Sequence, residues 1–412
     1  MERLKRKLQW LINYYHLGRS ILANIIYGFP SRRLKVIGVT GTDGKTTTSH
    51  LIYHILKSTG RKVALISSVS ARIGDEEMET GLHRTTPDAF EMQPIIKRIA
   101  DKGFEYLVLE TTSHALDQNR VYGIKYEVGV STNVTPEHLD YHKTYANLLR
   151  TKAKLLLRAK TSIVNKDDGS FSELSEYLKS KGKPFFTYSL KAQADFIFDF
   201  NKSSKKGVTS FNNYNYLAAY SVCTQLGIDK DKIVDSLKSF SLPEGRVEKV
   251  FEKGPIIYVD FAHTPNSFRN VLPELKKDLK KDGLLIHVFG SAGLRDEKKR
   301  PDMGSASGEY ADIVILTEED YRTEDPEKIC REVAIGLEKH GFKKQNTSLF
   351  RNKKTYLVNI HRNEAIRIAL TIAKKNDVIV CTGKSHERSL ARGTKEFPWH
   401  EKTEILKALN SK

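Results

Sequence analysis

A chain of 412 residues exceeds what one hydrophobic core usually organises, so two or three domains are expected. With 39% hydrophobic and 29% charged residues and no apolar run of about twenty, it reads as a soluble globular protein, neither disordered nor membrane-spanning. Cys223, Cys330 and Cys381 lie far apart with no CxxC pair, which excludes a disulfide framework and a structural zinc and fits a reducing cytoplasm.

The formal net charge of +18 suits nucleic acid, nucleotides or an acidic membrane surface. Lysines in KKDLKKDG and KKGVT can be read simply as solvated faces. The favoured reading is a basic surface that attracts polyanionic ligands such as nucleotides, or an acidic membrane surface, and no nucleic acid is expected. At the N-terminus, Leu4, Leu8, Leu11, Ile12, Tyr15, Leu22, Ile25 and Ile26 fall at roughly helical spacing with polar residues between them. Residues 1–34 therefore read as an amphipathic helical segment and not as a signal peptide, since no A-x-A cleavage site follows. Packing on its own domain is the first expectation, with weak contact to a membrane surface as the second.

From Lys35 the pattern alternates strand and helix. KVIGVT (35–40) is a short buried strand, followed by a helix over TTTSHLIYHILKSTG. KVALISSV (62–69), YLVLETTS (106–113), YEVGVSTNV (126–134) and TSIVNKDD (161–168) are further β-rich runs. Such alternation implies a parallel sheet covered by helices. After residue 168 the pattern weakens, and FNNYNYLAAYSVCTQLGI reads as a loop entering a helix. LPEGR (242–246) punctuates the chain. PIIYVDFAH, LLIHVFG, DIVILTEED and DVIVCTGK then open a second α/β series. The expected fold is α/β: a P-loop-type parallel-sheet central domain over 35–242 and a Rossmann-like C-terminal domain over 243–412.

The strongest local signal is G-V-T-G-T-D-G-K-T-T-T at 38–48. A buried strand enters a glycine-rich turn, and Lys45 and Thr46 open a helix. Backbone N–H groups of such a loop point at phosphate oxygens, and the helix N-terminus adds its dipole. Lys45 can reach terminal phosphates and Thr46 can hold Mg²⁺. Gly41 and Gly44 allow close backbone approach. The general G-x-x-x-x-G-K-[ST] pattern fails at its first glycine, which here is Val39.

Read with the downstream strings, this loop resembles the Mur ligase family, and within it the MurE, or UDP-N-acetylmuramoyl-tripeptide synthetase, branch. The resemblance runs from about residue 35 to the end. It rests on TTP (85–87), E-T-T-S-H-A-L-D-Q-N-R (110–120), T-N-V-T-P-E-H-L-D-Y-H (132–142), T-K-A-K-L-L (151–156), F-N-N-Y-N (211–215), G-R-V-E (245–248), D-F-A-H-T-P (260–265), G-L-R-D-E-K-K-R-P (293–301) and G-K-S-H-E (383–387).

The resemblance implies an ATP- and Mg²⁺-dependent ligase that joins an amino acid to a carboxylate of a UDP-MurNAc-dipeptide through an acyl phosphate. It implies ATP contacts from Gly41, Thr42, Asp43, Gly44, Lys45, Thr46, Thr47, Asn212, Asn215, Arg246 and Asp260, with His263 lining the same cleft. Lys45, Glu110, His138 and Lys152 are implied as catalytic residues. The metal ligands would be Thr46, Glu110, His138 and Lys152, the last as a carbamate; Lys154 lies close, but the spacing from His138 selects Lys152. Thr85, Thr86, Thr112, Gln118 and Arg120 would meet the muramoyl peptide nucleotide. Arg295, Glu319, Asp320, Arg322, Gly383 and Glu387 would meet the incoming amino acid.

Two departures bear on specificity. Where the diaminopimelate-adding enzymes carry D-N-P-R, this chain reads Glu319-Asp320-Tyr321-Arg322, and Ser385 stands in place of a glycine. The retained arginine favours diaminopimelate over lysine, because a second carboxylate can pair with a guanidinium. Family members also carry about a hundred residues that grip the uridine nucleotide where this sequence has some thirty-five before the loop strand, which leaves open weaker UDP recognition, a partner that supplies the grip, or a different, lipid-linked carrier. A monomer is expected. The competing readings are a folylpolyglutamate-synthetase-like ligase and a non-catalytic nucleotide- or nucleic-acid-binding P-loop protein.

Overall fold

The computed structural model describes residues 9–78, 86–198, 209–347 and 350–410. Val36, Ile37 and Val39 are fully buried in β1 (Lys35–Thr40), because β1 lies inside its sheet with helices on both faces. The sheet adds β2 (Val63–Ile66), β3 (Ala71–Ile73), β4 (Glu76–Met78), β5 (Tyr106–Glu110), β6 (Tyr126–Ser131), β7 (Thr161–Asn165) and β8 (Phe186–Tyr188). Their spatial order is β4-β3-β2-β5-β1-β6-β7-β8. All pairings are parallel except β2–β3 and β3–β4. β1 pairs with β5 on one side and β6 on the other, so Val39 lies opposite Glu110 and Thr40 opposite Ser131. Strand order reverses there, and the crevice beyond the carboxyl ends is where such sheets take ligands.

One helix is placed by absent side chains. A Cβ at Gly38 would meet Leu155 Cδ1 at 2.7 Å, and one at Gly129 would meet Leu155 Cδ2 at 2.8 Å. The two glycines let Leu155 of the helix Tyr145–Arg158 press directly on β1 and β6, which carries Lys152 of that helix toward the loop after β1.

The chain divides into two units, Met1–Ser241 and Leu242–Lys412. The second holds β9 (Glu248–Phe251), β10 (Ile256–Asp260), β11 (Leu285–Phe289), β12 (Ile313–Leu316), β13 (Lys343–Lys344), β14 (Thr355–Val358) and β15 (Val378–Thr382). Their order is β13-β14-β12-β11-β15-β10-β9, parallel apart from β9. A hairpin of β16 (Ser389–Arg392) and β17 (Lys395–Pro398) follows.

Two details differ from the sequence reading. The stretch after residue 168 holds a helix, Phe171–Ser180, and an edge strand of three residues, too short to give a legible alternation. The N-terminal helix Gln9–Ile26 packs on the first unit by a mainly polar face, burying Ser20, Ala23 and Asn24, while Trp10, Leu11, Tyr14, Tyr15, Ile21, Leu22, Ile25 and Ile26 are exposed.

Candidate active site

The loop after β1 is held from outside. Asn133 Oδ1 accepts from the backbone N–H of Thr42 at 3.1 Å and of Asp43 at 2.8 Å. Thr132 Oγ1 donates to the Asp43 carbonyl at 2.6 Å. Thr42 Oγ1 donates to the Thr135 carbonyl at 3.1 Å. Gly44 takes φ +81°, and a Cβ there would lie 2.2 Å from Asn215 Oδ1. Asn215 Nδ2 in turn donates to Asn212 Oδ1 at 2.9 Å, and Thr48 Oγ1 donates to Asn215 Oδ1 at 3.3 Å. The two predicted asparagines thus back the loop. Thr47 is buried in the first turn of the helix Lys45–Ser58, and Lys45 Nζ donates to the Thr42 carbonyl at 2.7 Å, folded over its own loop.

Glu110 ends β5 fully buried. Its Oε1 accepts from Thr46 Oγ1 at 3.1 Å, and its Oε2 accepts from the Ser68 N–H at 2.9 Å. Ser68 Oγ lies 2.9 Å from Thr46 Oγ1. A carboxylate and two hydroxyls therefore converge beside the loop. Among the described residues no three of His, Cys, Asp and Glu group as a metal site, but Mg²⁺ usually takes one or two carboxylates and completes its shell with phosphates and water. The Glu110–Thr46 pair fits that ion.

Lys152 is buried, and its Nζ donates to Glu137 Oε1 at 2.9 Å and to Thr42 Oγ1 at 3.0 Å. Burial lowers its pKa to about 8 against the pull of Glu137. Burial works to raise the Glu137 carboxyl, yet the Lys152, His138 and Lys45 charges outweigh it and hold Glu137 well below the usual carboxylate range. As an ammonium Lys152 offers no ligand atom; as a carbamate it would. His138 takes a left-handed conformation, φ 51°, before the short helix Leu139–His142. Its Nε2 is 3.8 Å from Glu137 Oε2, and its ring lies 4.8 Å from that of His114.

Thr85 falls outside the described residues. Thr86 Oγ1 donates to the Glu110 carbonyl at 3.1 Å and accepts from the Thr112 N–H at 3.1 Å. Thr112 caps the helix Ser113–Asp117, and Gln118 closes it. Arg120 is buried, with Nη1 on the Thr86 carbonyl. The hydroxyls of Thr86 and Thr112, 3.3 Å apart, and Arg120 thus form one cluster next to Glu110.

In the second unit the predicted residues again follow strand ends. Asp260 closes β10, its two oxygens accepting from the Val247 and Ala262 N–H groups at 2.7 Å each. The Arg246 guanidinium lies 4.7 Å over the Phe261 ring, and His263 Nδ1 is 2.8 Å from the Phe261 carbonyl. Asp320 Oδ1 accepts from Lys384 Nζ at 2.7 Å and from the Ala391 N–H at 3.0 Å. Lys384 also pairs with Glu387 at 2.5 Å. Arg322 Nη1 donates to the carbonyls of Gly293 and Asp320 at 3.0 and 3.1 Å. Gly383 takes φ +102°, and a Cβ there would lie 2.8 Å from Glu319 Oε2; burial raises the Glu319 pKa. The loops after β11, β12 and β15 are therefore laced together, with Arg295 exposed on the first of them. Ser385, in the glycine position, donates to the Gly245 carbonyl at 2.7 Å.

Sequence reading missed Asn133, Ser68, Glu137 and Lys384. Asn133, Glu137 and Lys384 stood inside quoted motifs, and Ser68 follows the end of β2, the ligand side of such a sheet. Nothing in the spacing marked Asn133 as the clamp on the loop.

Residues 39–225 match the Mur ligase middle domain, and residues 245–385 match the Mur ligase glutamate ligase domain. The chain is 35% identical to UDP-N-acetylmuramoyl-L-alanyl-D-glutamate–2,6-diaminopimelate ligase 1 of Clostridium acetobutylicum, covering 95% of this chain and 83% of that one. The Aquifex aeolicus ligase of the same kind is 38% identical, covering 90% and 76%. A solved structure of a UDP-N-acetylmuramoyl-L-alanyl-D-glutamate–2,6-diaminopimelate ligase superposes with a TM-score of 0.57 at 29% identity, covering 92% and 78%. Folylpolyglutamate synthase of Mycobacterium tuberculosis, complexed with ADP, gives 0.70 at 16% identity, covering 92% and 95%, a likeness of fold.

Proposed function

The chain belongs to the Mur ligase family, and on that premise we propose that it is an ATP-dependent ligase adding meso-diaminopimelate to the D-glutamyl carboxylate of UDP-MurNAc-L-Ala-D-Glu. The observation that carries the reading is the convergence of Glu110 and the Thr46 hydroxyl on a loop that also holds Lys45 and is touched by Lys152. That set suits phosphoryl transfer to a carboxylate.

ATP lies with its phosphates on the N–H groups of residues 41–47, backed by Asn212 and Asn215. Lys45 leaves the Thr42 carbonyl for the γ-phosphate. Thr46 and Glu110, with His138 and a carbamylated Lys152, are the residues that would hold Mg²⁺, which when bound neutralises phosphate charge. Thr86, Thr112, Gln118 and Arg120 orient the dipeptide nucleotide so that a D-glutamyl carboxylate oxygen attacks the γ-phosphorus in line and ADP departs. The amine of the acceptor then attacks the acyl carbon, loses a proton, and phosphate leaves as the amide forms.

Arg295 and Arg322 take the acceptor's carboxylates, with Glu319, Asp320, Gly383 and Glu387 around its far end. Arg246 and Asp260 are the second unit's candidates for nucleotide contact. The enzyme works as a cytoplasmic monomer in peptidoglycan precursor synthesis.

ADP release by the purified protein with UDP-MurNAc-L-Ala-D-Glu tests this, comparing meso-diaminopimelate, L-lysine and no acceptor. Strong stimulation by diaminopimelate alone is expected. Stimulation by lysine would overturn the acceptor assignment, and stimulation by neither would overturn the substrate.

A further inference from the structure

The helix Gln9–Ile26 is turned inside out. Its bonds to the first unit are polar: Asn13 Nδ2 to Asp117 Oδ2 at 2.9 Å, Arg19 Nη2 to Asp88 Oδ1 at 2.9 Å, Ser20 Oγ to the Asn119 carbonyl at 2.8 Å, and Asn24 Nδ2 to the Tyr122 carbonyl at 2.9 Å. At roughly 100° per residue, Trp10, Tyr14, Ile21, Leu22, Ile25 and Ile26 share the opposite side. Each is between 40% and 66% exposed. Scattered apolar residues on a surface need no explanation, but a continuous aromatic and aliphatic face marks a docking surface.

Charge selects the partner. The helix contains no Asp or Glu, and the first forty residues hold eight Lys or Arg against one acidic residue, Glu2. The helix's one cation, Arg19, is bonded inward to Asp88, but Arg3, Lys5, Arg6 and Lys7 immediately precede the helix in sequence. Two copies would bring these basic clusters together across a twofold contact, where they repel. An anionic bilayer attracts them: aromatic side chains settle at headgroup level, aliphatic ones just below, and lysine and arginine meet lipid phosphate.

We propose that the outward face of the helix Gln9–Ile26 docks this protein on an anionic membrane surface. The helix is bonded through Asp88, Asp117 and Asn119 to the loops that carry Thr86, Gln118 and Arg120, so docking sets that side of the first unit against the bilayer. Docking through this helix is independent of the ligase reading, and its test uses no substrate.

The test is flotation of the full chain with vesicles of neutral phosphatidylcholine, or of phosphatidylcholine containing phosphatidylglycerol, at low and high salt. The protein should float with the anionic vesicles only, and high salt should release it, since the attraction is screened within about 10 Å at 0.1 M. The variant Trp10→Ser/Tyr14→Ser/Leu22→Ser/Ile25→Ser should float on the order of tenfold less at an unchanged melting temperature, because all four side chains are exposed. A blue shift of Trp10 emission on adding anionic vesicles should accompany binding by the parent protein. Failure of the parent to float, or equal flotation by the variant, would overturn the proposal. So would light scattering that shows a dimer dispersed by the four substitutions without any vesicle binding, which would give the face to a second copy.

Discussion

Gly44 shows how far one hydrogen atom decides the phosphate loop. Its φ of +81° and the 2.2 Å between a built Cβ and Asn215 Oδ1 leave no room for a side chain. Gly44→Ala should displace Asn215 and cut ATP affinity by about tenfold or more, with roughly 1 kcal/mol of stability lost to the left-handed backbone. Calorimetric titration with ATP and a urea melt would check both, and full-strength binding by the variant would refute the account of the loop. Lys45→Ala touches the proposed chemistry instead: kcat for ADP release should fall about a hundredfold or more at unchanged stability.

His287 carries a prediction about pH. Its ring is fully buried, with Nδ1 2.8 Å from Ser307 Oγ and Nε2 2.9 Å from Thr382 Oγ1. Burial, then the Arg362 charge, lowers its pKa to about 3, so it folds neutral. Below about pH 6.5 the unfolded chain takes up a proton that the folded chain refuses, and stability falls as pH drops from there toward 3. Between pH 7 and pH 5 this one histidine should cost about 2 kcal/mol. Urea unfolding at both pH values should find the dependence smaller by that amount in His287→Gln.

At the scale of elements, the second unit depends on a crossing of two helices, Lys299–Tyr310 and Pro326–Lys339. A Cβ at Gly304 would lie 1.9 Å from the Val333 carbonyl oxygen, and one at Gly336 would lie 1.8 Å from the Pro301 carbonyl oxygen. Both obstacles are backbone, so neither can rotate away. Gly304→Ala or Gly336→Ala should cost about 2–3 kcal/mol, read as a lower urea midpoint.

Arg300, buried beside that crossing, bonds Glu324 and Glu332, and Glu324 also accepts from the Leu294 N–H. Arg300→Met should loosen the loop bearing Arg295, raising KM for the acceptor more than KM for ATP.

The central strands were legible because Val, Ile and Leu run unbroken between glycine-rich loops, and the phosphate loop because glycine spacing, Lys45 and Thr46 are local. The helix and strand after residue 168 were not, since a three-residue edge strand has no period to read. The pairing of Lys152 with Glu137 was hidden for another reason: it depends on Leu155 seating over Gly38 and Gly129, a packing fact that no short motif encodes. The outward face of the first helix was equally hidden, because periodicity reports that a stripe exists and not which way it faces.

For the molecule as a whole, both sheets deliver their chemistry by one rule. Glu110 follows β5, the phosphate loop follows β1, Asp260 closes β10, and Arg295, Arg322 and Glu387 follow β11, β12 and β15. Ligand-directed side chains on parallel sheets cluster at carboxyl ends, and the proposed site residues of each unit stand there. The net charge of +18 then suits polyanionic substrates.

The central claim is that a substrate carboxylate becomes an acyl phosphate before the amine arrives. The direct measurement is to label the D-glutamyl carboxylate oxygens of UDP-MurNAc-L-Ala-D-Glu with ¹⁸O, run the reaction with ATP and meso-diaminopimelate, and weigh the released phosphate. One labelled oxygen in each phosphate, matched to amide product, is what this account predicts. Amide formed with unlabelled phosphate, or ATP split with the label left wholly in the dipeptide, would contradict it.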